Sequence, residues 1–242
     1  FGTLHEVGHG MYEQGLRTDD WFGLPPGTYT SLGIHESQSR MWENQVGRGR
    51  PFWDWIYQDA QRTFASALAD TSLDEFYFAV NTVEPSLIRV EADEATYNLH
   101  ILIRFDLERQ LIAGTLSVDQ LPQAWNDRYE NDLGIVPPSD AEGVLQDVHW
   151  SAGLFGYFPT YTLGNLVSAQ LYDKADQDLG SLDAMFAKGE FEPLLQWLRQ
   201  NVHRWGQCYG GNELVHRATG SDLSAEHLIR YLNTKLRPLY GL

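Results

Sequence analysis

The chain has 242 residues, 43% of them hydrophobic and 13% aromatic, which is enough to bury a large core and too apolar for a disordered polar chain. Seventeen Lys and Arg against 33 Asp and Glu leave a net charge of −16, which argues against a nucleic-acid backbone or an anionic membrane as partner. The single cysteine, Cys208, excludes an internal disulfide framework and fits a reducing compartment such as the cytoplasm, and no apolar run approaches the roughly 18–20 residues of a membrane span.

The first predicted element is a helix over 3–15, and it carries L-H-E-V-G-H. His5 and His9 are four apart, so a helix stacks both imidazoles on one face. Two neutral imidazoles so placed can share one Zn²⁺ at about 2.0–2.1 Å. Glu6 sits beside the first, where its carboxylate can take a proton from a water that the metal acidifies. This is the H-E-x-x-H arrangement of zinc peptidases. Gly8 and Gly10 each cost roughly 1 kcal/mol relative to Ala inside a helix, so packing must hold that helix together. The motif begins four residues after Phe1, which predicts that the chain is the C-terminal part of a longer protein, read as one domain over 1–242.

Pro25, Pro26 and Gly27 interrupt regular structure, and a second helix is predicted over 32–46. A catalytic zinc needs a third protein ligand and an open fourth position. Glu36 and Glu43 on this helix are candidates, and His35 would give a three-histidine site. Residues 51–69 repeat apolar side chains at 3–4 spacing from Trp53 to Leu68, a helix facing the core. Ser72 to Glu75 is a capping box, and Pro85 breaks the chain after the helix it opens. A short strand is predicted over 86–90 and a long helix over 92–113, in which His100 reads as a core histidine. Arg89 can grip a carboxylate with two parallel hydrogen bonds or pair internally with Glu91 or Asp93. A second capping box, Ser117 to Gln120, opens a helix that ends at Gly134.

Pro137, Pro138 and Ser139 mark a break before G-V-L-Q-D-V-H-W, and Gly153, Gly156 and Gly164 mark a loop needing special backbone geometry. His149 can donate to a substrate or to a developing oxyanion, and Tyr157 and Tyr161 follow as phenol donors suited to that task. Helices are predicted over 160–175, 193–204 and 224–236. His203, His216 and His227 read as surface-like or structural, and Cys208 as a buried small residue. The architecture expected is mainly α, with at most a small sheet near the site.

Taken together, H-E-V-G-H-G-M-Y-E-Q-G, then G-I-H-E-S-Q-S-R-M-W-E-N, I-R-x-x-A-D at Ile88 to Asp93, and G-x-x-Q-D-x-H-W at Gly143 to Trp150 resemble the carboxypeptidase Taq family of zinc metallocarboxypeptidases. The resemblance runs over nearly the whole chain. It implies His5, His9 and Glu36 as metal ligands and Glu6 as the base. It implies His35 and Gln38 as substrate-side or ligand-supporting groups, and Arg89 as the grip on a substrate's terminal carboxylate. It places an oxyanion donor among Tyr157 and Tyr161, with Tyr161 preferred. It further implies a homodimer, a Zn²⁺ cofactor replaceable by Co²⁺, and peptides with a free C-terminus as substrates, tolerated broadly. Two further motifs of that family, H-P-F and D-x-R-x-T, lie upstream of its zinc helix and are missing from this chain.

Overall fold

Helices of 3 to 21 residues, joined by turns and loops, are the regular structure of the chain, and no strand forms. The structure is a computed structural model that describes residues 1–242. The chain folds into two compact units. Unit 1 is Phe1–Asn81 with Leu163–Leu242, and unit 2 is Thr82–Thr162.

In unit 1 the first helix is Gly2–Gly15 and the next long one Leu32–Arg40. Ser31 opens the latter by accepting from Ile34 N–H at 3.2 Å. The two helices cross at Gly8, where a Cβ would stand 2.6 Å from Ser39 Cα and 2.7 Å from the Gln38 carbonyl oxygen. This close approach explains the helix-weakening glycine in the metal motif. Gly15 does not close the first helix by a left-handed turn, since Leu16 leaves it extended; a Cβ on Gly15 would collide with the ring of His203. The predicted helix over 32–46 changes character midway, becoming a π-helix over Met41–Val46. The stretch 51–69 is likewise divided, into Arg50–Thr63 and Ala65–Leu68, by the non-helical Phe64. The core gathers Tyr12, Ile34, Met41 and Val46 with Val167 and Leu171 of helix Pro159–Leu179, and Leu194 and Leu198 of helix Glu192–Asn201.

Unit 2 corrects the strand expected over 86–90. The segment is a non-helical stretch leading into a 3-10 turn, Arg89–Glu91. With no neighbouring strand to ladder against, the Arg89 N–H turns to the Gln146 side-chain oxygen at 2.9 Å. The long helix begins at Tyr97 rather than 92, because the Asp93 carboxylate takes the N–H groups of Ala95 and Thr96 at 2.8 and 2.9 Å. Both capping boxes form as the sequence predicts. Gly134 closes helix Leu121–Leu133 with φ +73. Trp125, Tyr129, Ile103 and Leu107 form one core, and Tyr97, Ile101 and Phe158 a second.

Candidate metal centre

His5 and His9 project from one face of Gly2–Gly15 toward Glu36 of Leu32–Arg40. Glu36 Oε2 lies 3.8 Å from His5 Nε2 and 3.6 Å from His9 Nε2. The three donor atoms all fall within 4.8 Å of one another. A tetrahedral ion with bonds of about 2.0–2.1 Å sets neighbouring ligand atoms about 3.4 Å apart. The two Glu36 contacts lie within about half an ångström of that spacing, so the trio closes on a divalent metal by an inward shift of its side chains. Its chemistry fits as well, two imidazoles and one carboxylate with a position left for solvent. Burial, followed by the neighbouring His35, pushes the His9 pKa down and favours the neutral ring a metal requires. Glu36 itself is buried, and Gly164 lies against it, since a Cβ there would sit 2.6 Å from Glu36 Cγ.

Of the three candidates for third ligand, the structure brings Glu36 to the imidazole Nε2 atoms. Glu43 stands behind His5, with Oε2 2.9 Å from Nδ1. Burial alone would raise the Glu43 pKa, but the His5 hydrogen bond and the Arg40 charge hold it below the usual carboxylate range. His35 stands behind His9, Nδ1 to Nδ1 at 2.6 Å, and its Nε2 meets Glu13 Oε1 at 2.9 Å. Arg40 ties the set together, donating from Nε to Glu36 Oε1 at 2.8 Å and from Nη1 to Glu43 Oε2 at 3.2 Å. Glu6 is exposed on the same helix as the two histidines.

Two expectations from the sequence, for Gln38 and Cys208, are corrected here, and one for His203 is narrowed. Gln38 does not face a substrate: it is fully buried, with its oxygen accepting at 2.9 Å from His203 Nε2 and its amide donating to Ser37 Oγ at 3.0 Å. His203 takes the structural of its two readings: it lies in the core, where burial and then Arg199 push its pKa down to about 3. Cys208 is exposed rather than buried. Reading by motif misses Arg40 and Glu13. The signal for Glu13 is its place four residues after His9, on the same helical face.

Unit 2 gathers the other candidates. Arg89 is buried, and its internal partner is Asp147 rather than Glu91 or Asp93. Its Nε and Nη2 reach Asp147 Oδ1 at 2.9 and 2.6 Å, and Nη1 donates to the Tyr97 hydroxyl at 2.9 Å. Arg104, which pattern alone does not single out within an apolar helix, is fully buried and donates to Asp147 Oδ2 at 2.7 Å and Gln146 Oε1 at 2.8 Å. Asp147 would be raised by burial, yet the two guanidinium groups hold it below its ordinary range. His149 Nε2 meets the Tyr161 hydroxyl at 2.9 Å, and the Tyr157 ring stands 5.3 Å from the imidazole. Burial lowers the His149 pKa, which favours the neutral ring. His100, a core histidine as the sequence predicts, meets the Tyr129 hydroxyl at 3.0 Å.

Comparison with known proteins agrees with this geometry. The family described as carboxypeptidase Taq (M32) metallopeptidase matches residues 1–236. The chain is 55% identical over 241 residues to thermostable carboxypeptidase 1 of Thermus thermophilus, covering all of this chain and 47% of that protein. It is 46% identical to carboxypeptidase 1 of Bacillus subtilis, covering all of this chain and 48% of that one. The crystal structure of an M32 carboxypeptidase from Deinococcus radiodurans superposes with a TM-score of 0.96 at 49% identity, over 99% of this chain and 48% of that one. The chain thus spans about half the length of the curated relatives it matches. With its helical fold, its paired histidines and a carboxylate converging from the next long helix, the chain belongs to the carboxypeptidase Taq (M32) family of metallopeptidases.

Proposed function

We propose that the protein is a zinc-dependent carboxypeptidase that releases single residues from the free C-terminus of peptides, with broad tolerance for the residue removed. The convergence of His5, His9 and Glu36 beside an exposed Glu6 carries this reading. A bound divalent ion, Zn²⁺ or alternatively Co²⁺, supplies Lewis acidity toward the scissile carbonyl and the attacking water. Glu6 takes the proton of that water and passes it to the departing amine. The family resemblance assigns the donor to the developing oxyanion to Tyr161, which is hydrogen-bonded to His149, with Tyr157 the alternative. Arg89 selects the terminal carboxylate; Asp147 and Tyr97 fix its guanidinium plane in advance, which lowers the ordering cost of a planar ion pair. The single cysteine supports a cytoplasmic location. A homodimer and the breadth of specificity rest on the family resemblance.

Mass spectrometry of a mixed peptide pool incubated with the metal-loaded intact protein tests the proposal. Ladders shortened one residue at a time from the C-terminus support it. Internal cleavage, or no cleavage by a metal-loaded sample, overturns it. Glu6→Gln is expected to lower turnover by about 10²–10⁴-fold while the metal stays bound.

A further inference from the structure

Each imidazole of the centre has a second nitrogen, and the structure gives each of those nitrogens a different neighbour. His5 Nδ1 faces Glu43 directly, whereas His9 Nδ1 faces His35, which in turn faces Glu13. Once Nε2 of His9 is committed to a metal, its only proton resides on Nδ1. The 2.6 Å contact then makes His35 Nδ1 the acceptor. A neutral His35 so engaged carries its own proton on Nε2, and that proton points at Glu13 Oε1 2.9 Å away. The polarity of the chain is therefore fixed from one end to the other. The same assignment removes His35 from the ligand set, because its Nδ1 lone pair is spent on His9.

We propose that Glu43 and the pair His35–Glu13 are positioning residues for the metal. Glu43 acts on His5 in one step, and Glu13 acts on His9 through His35. Carboxylates and carbonyls that accept from a ligating histidine fix its tautomer and raise its basicity, and losing one costs about 10–100-fold in metal affinity. The two arms are unequal. The Glu43 side chain is 14% exposed and its charge is shared with Arg40, while the Glu13 side chain is 50% exposed. Water and salt screen the second arm, so it has the smaller effect. This inference rests on the metal-centre reading above and adds residues that the H-E-x-x-H pattern does not contain.

Zn²⁺ affinity of the intact protein, measured by competition with a chromophoric chelator, tests the inference without reference to activity. Glu43→Gln is expected to weaken binding by about 10–100-fold, and Glu13→Ala by less. Glu13→Ala added to His35→Ala is expected to change nothing further, because the relay runs in series. The melting temperature of the metal-free Glu13→Ala protein stays at the wild-type value, which separates positioning from a merely structural contribution. Wild-type affinity in both Glu43→Gln and Glu13→Ala, alongside lost binding in His5→Ala, overturns the positioning roles and leaves the metal centre standing. Additive losses from Glu13→Ala and His35→Ala overturn the serial relay. Unchanged binding in His5→Ala overturns the centre itself and this inference with it. If metal-free Glu43→Gln fails to fold, the Glu13 and His35 variants decide the outcome, since Glu13 lies at the surface.

Discussion

Asp147 sits between two buried guanidinium groups, and its carboxylate is the charge that makes their burial tolerable. Asp147→Asn leaves Arg89 and Arg104 facing a neutral amide, with an expected cost of about 3–5 kcal/mol in denaturant unfolding. The pH dependence follows the same logic. Asp147 titrates lower in the folded protein than unfolded, so its contribution is complete above the ordinary aspartate range and is lost as pH falls through its folded value. His100 adds an earlier step. Burial, then Arg104 and Arg89, push its pKa from 6.5 to about 4. The unfolded chain binds that proton first, so stability is full above about pH 6.5 and declines between there and pH 4, by an amount on the order of 3 kcal/mol. The urea midpoint should be level above pH 7 and fall steadily below it. His100→Gln should flatten part of that fall, with His203 still contributing the rest.

The glycines at helix contacts make predictions at the scale of elements. Gly164→Ala drives a methyl group toward Glu36 Cβ and Cγ. Its stability cost is expected near 1–3 kcal/mol, and zinc affinity should drop as well because the displaced atoms belong to the third ligand. Calorimetric titration of the variant with Zn²⁺ checks both the loss and its stoichiometry. Much at this scale is legible in the sequence. Ser72 with Glu75, Ser117 with Gln120, and Gly134 mark helix boundaries because each works through partners a few residues away. The start of helix Tyr97–Ile112 is harder to read, because the Asp93 side chain competes for the N–H groups that a longer helix would have used. The π-helix Met41–Val46 has no such local signature. One extra residue per turn costs backbone geometry, and π segments occur frequently at functional sites. Here it follows directly on the helix bearing Glu36 and contains Glu43.

Across the whole molecule, legibility in the sequence tracks separation along the chain. His5 and His9 announce themselves through one helical turn, and Glu36 through the motif around it. Arg104 and Asp147 are 43 positions apart, and His35 and Glu13 are 22 apart, so no local pattern pairs them. At this scale the proposed exopeptidase predicts that amidating a peptide's C-terminus abolishes its cleavage, which chromatography of matched free and amidated peptides can follow. Arg40 has a consequence for how the metal is taken up. Glu36 and Glu43 are two carboxylates that share one guanidinium, which donates to both. The cradle thus brings its own counter-cation. Loading then requires no collapse of apolar surface, so titration with Zn²⁺ should show a heat-capacity change close to zero and an uptake rate limited by ligand exchange at the ion rather than by refolding of the protein.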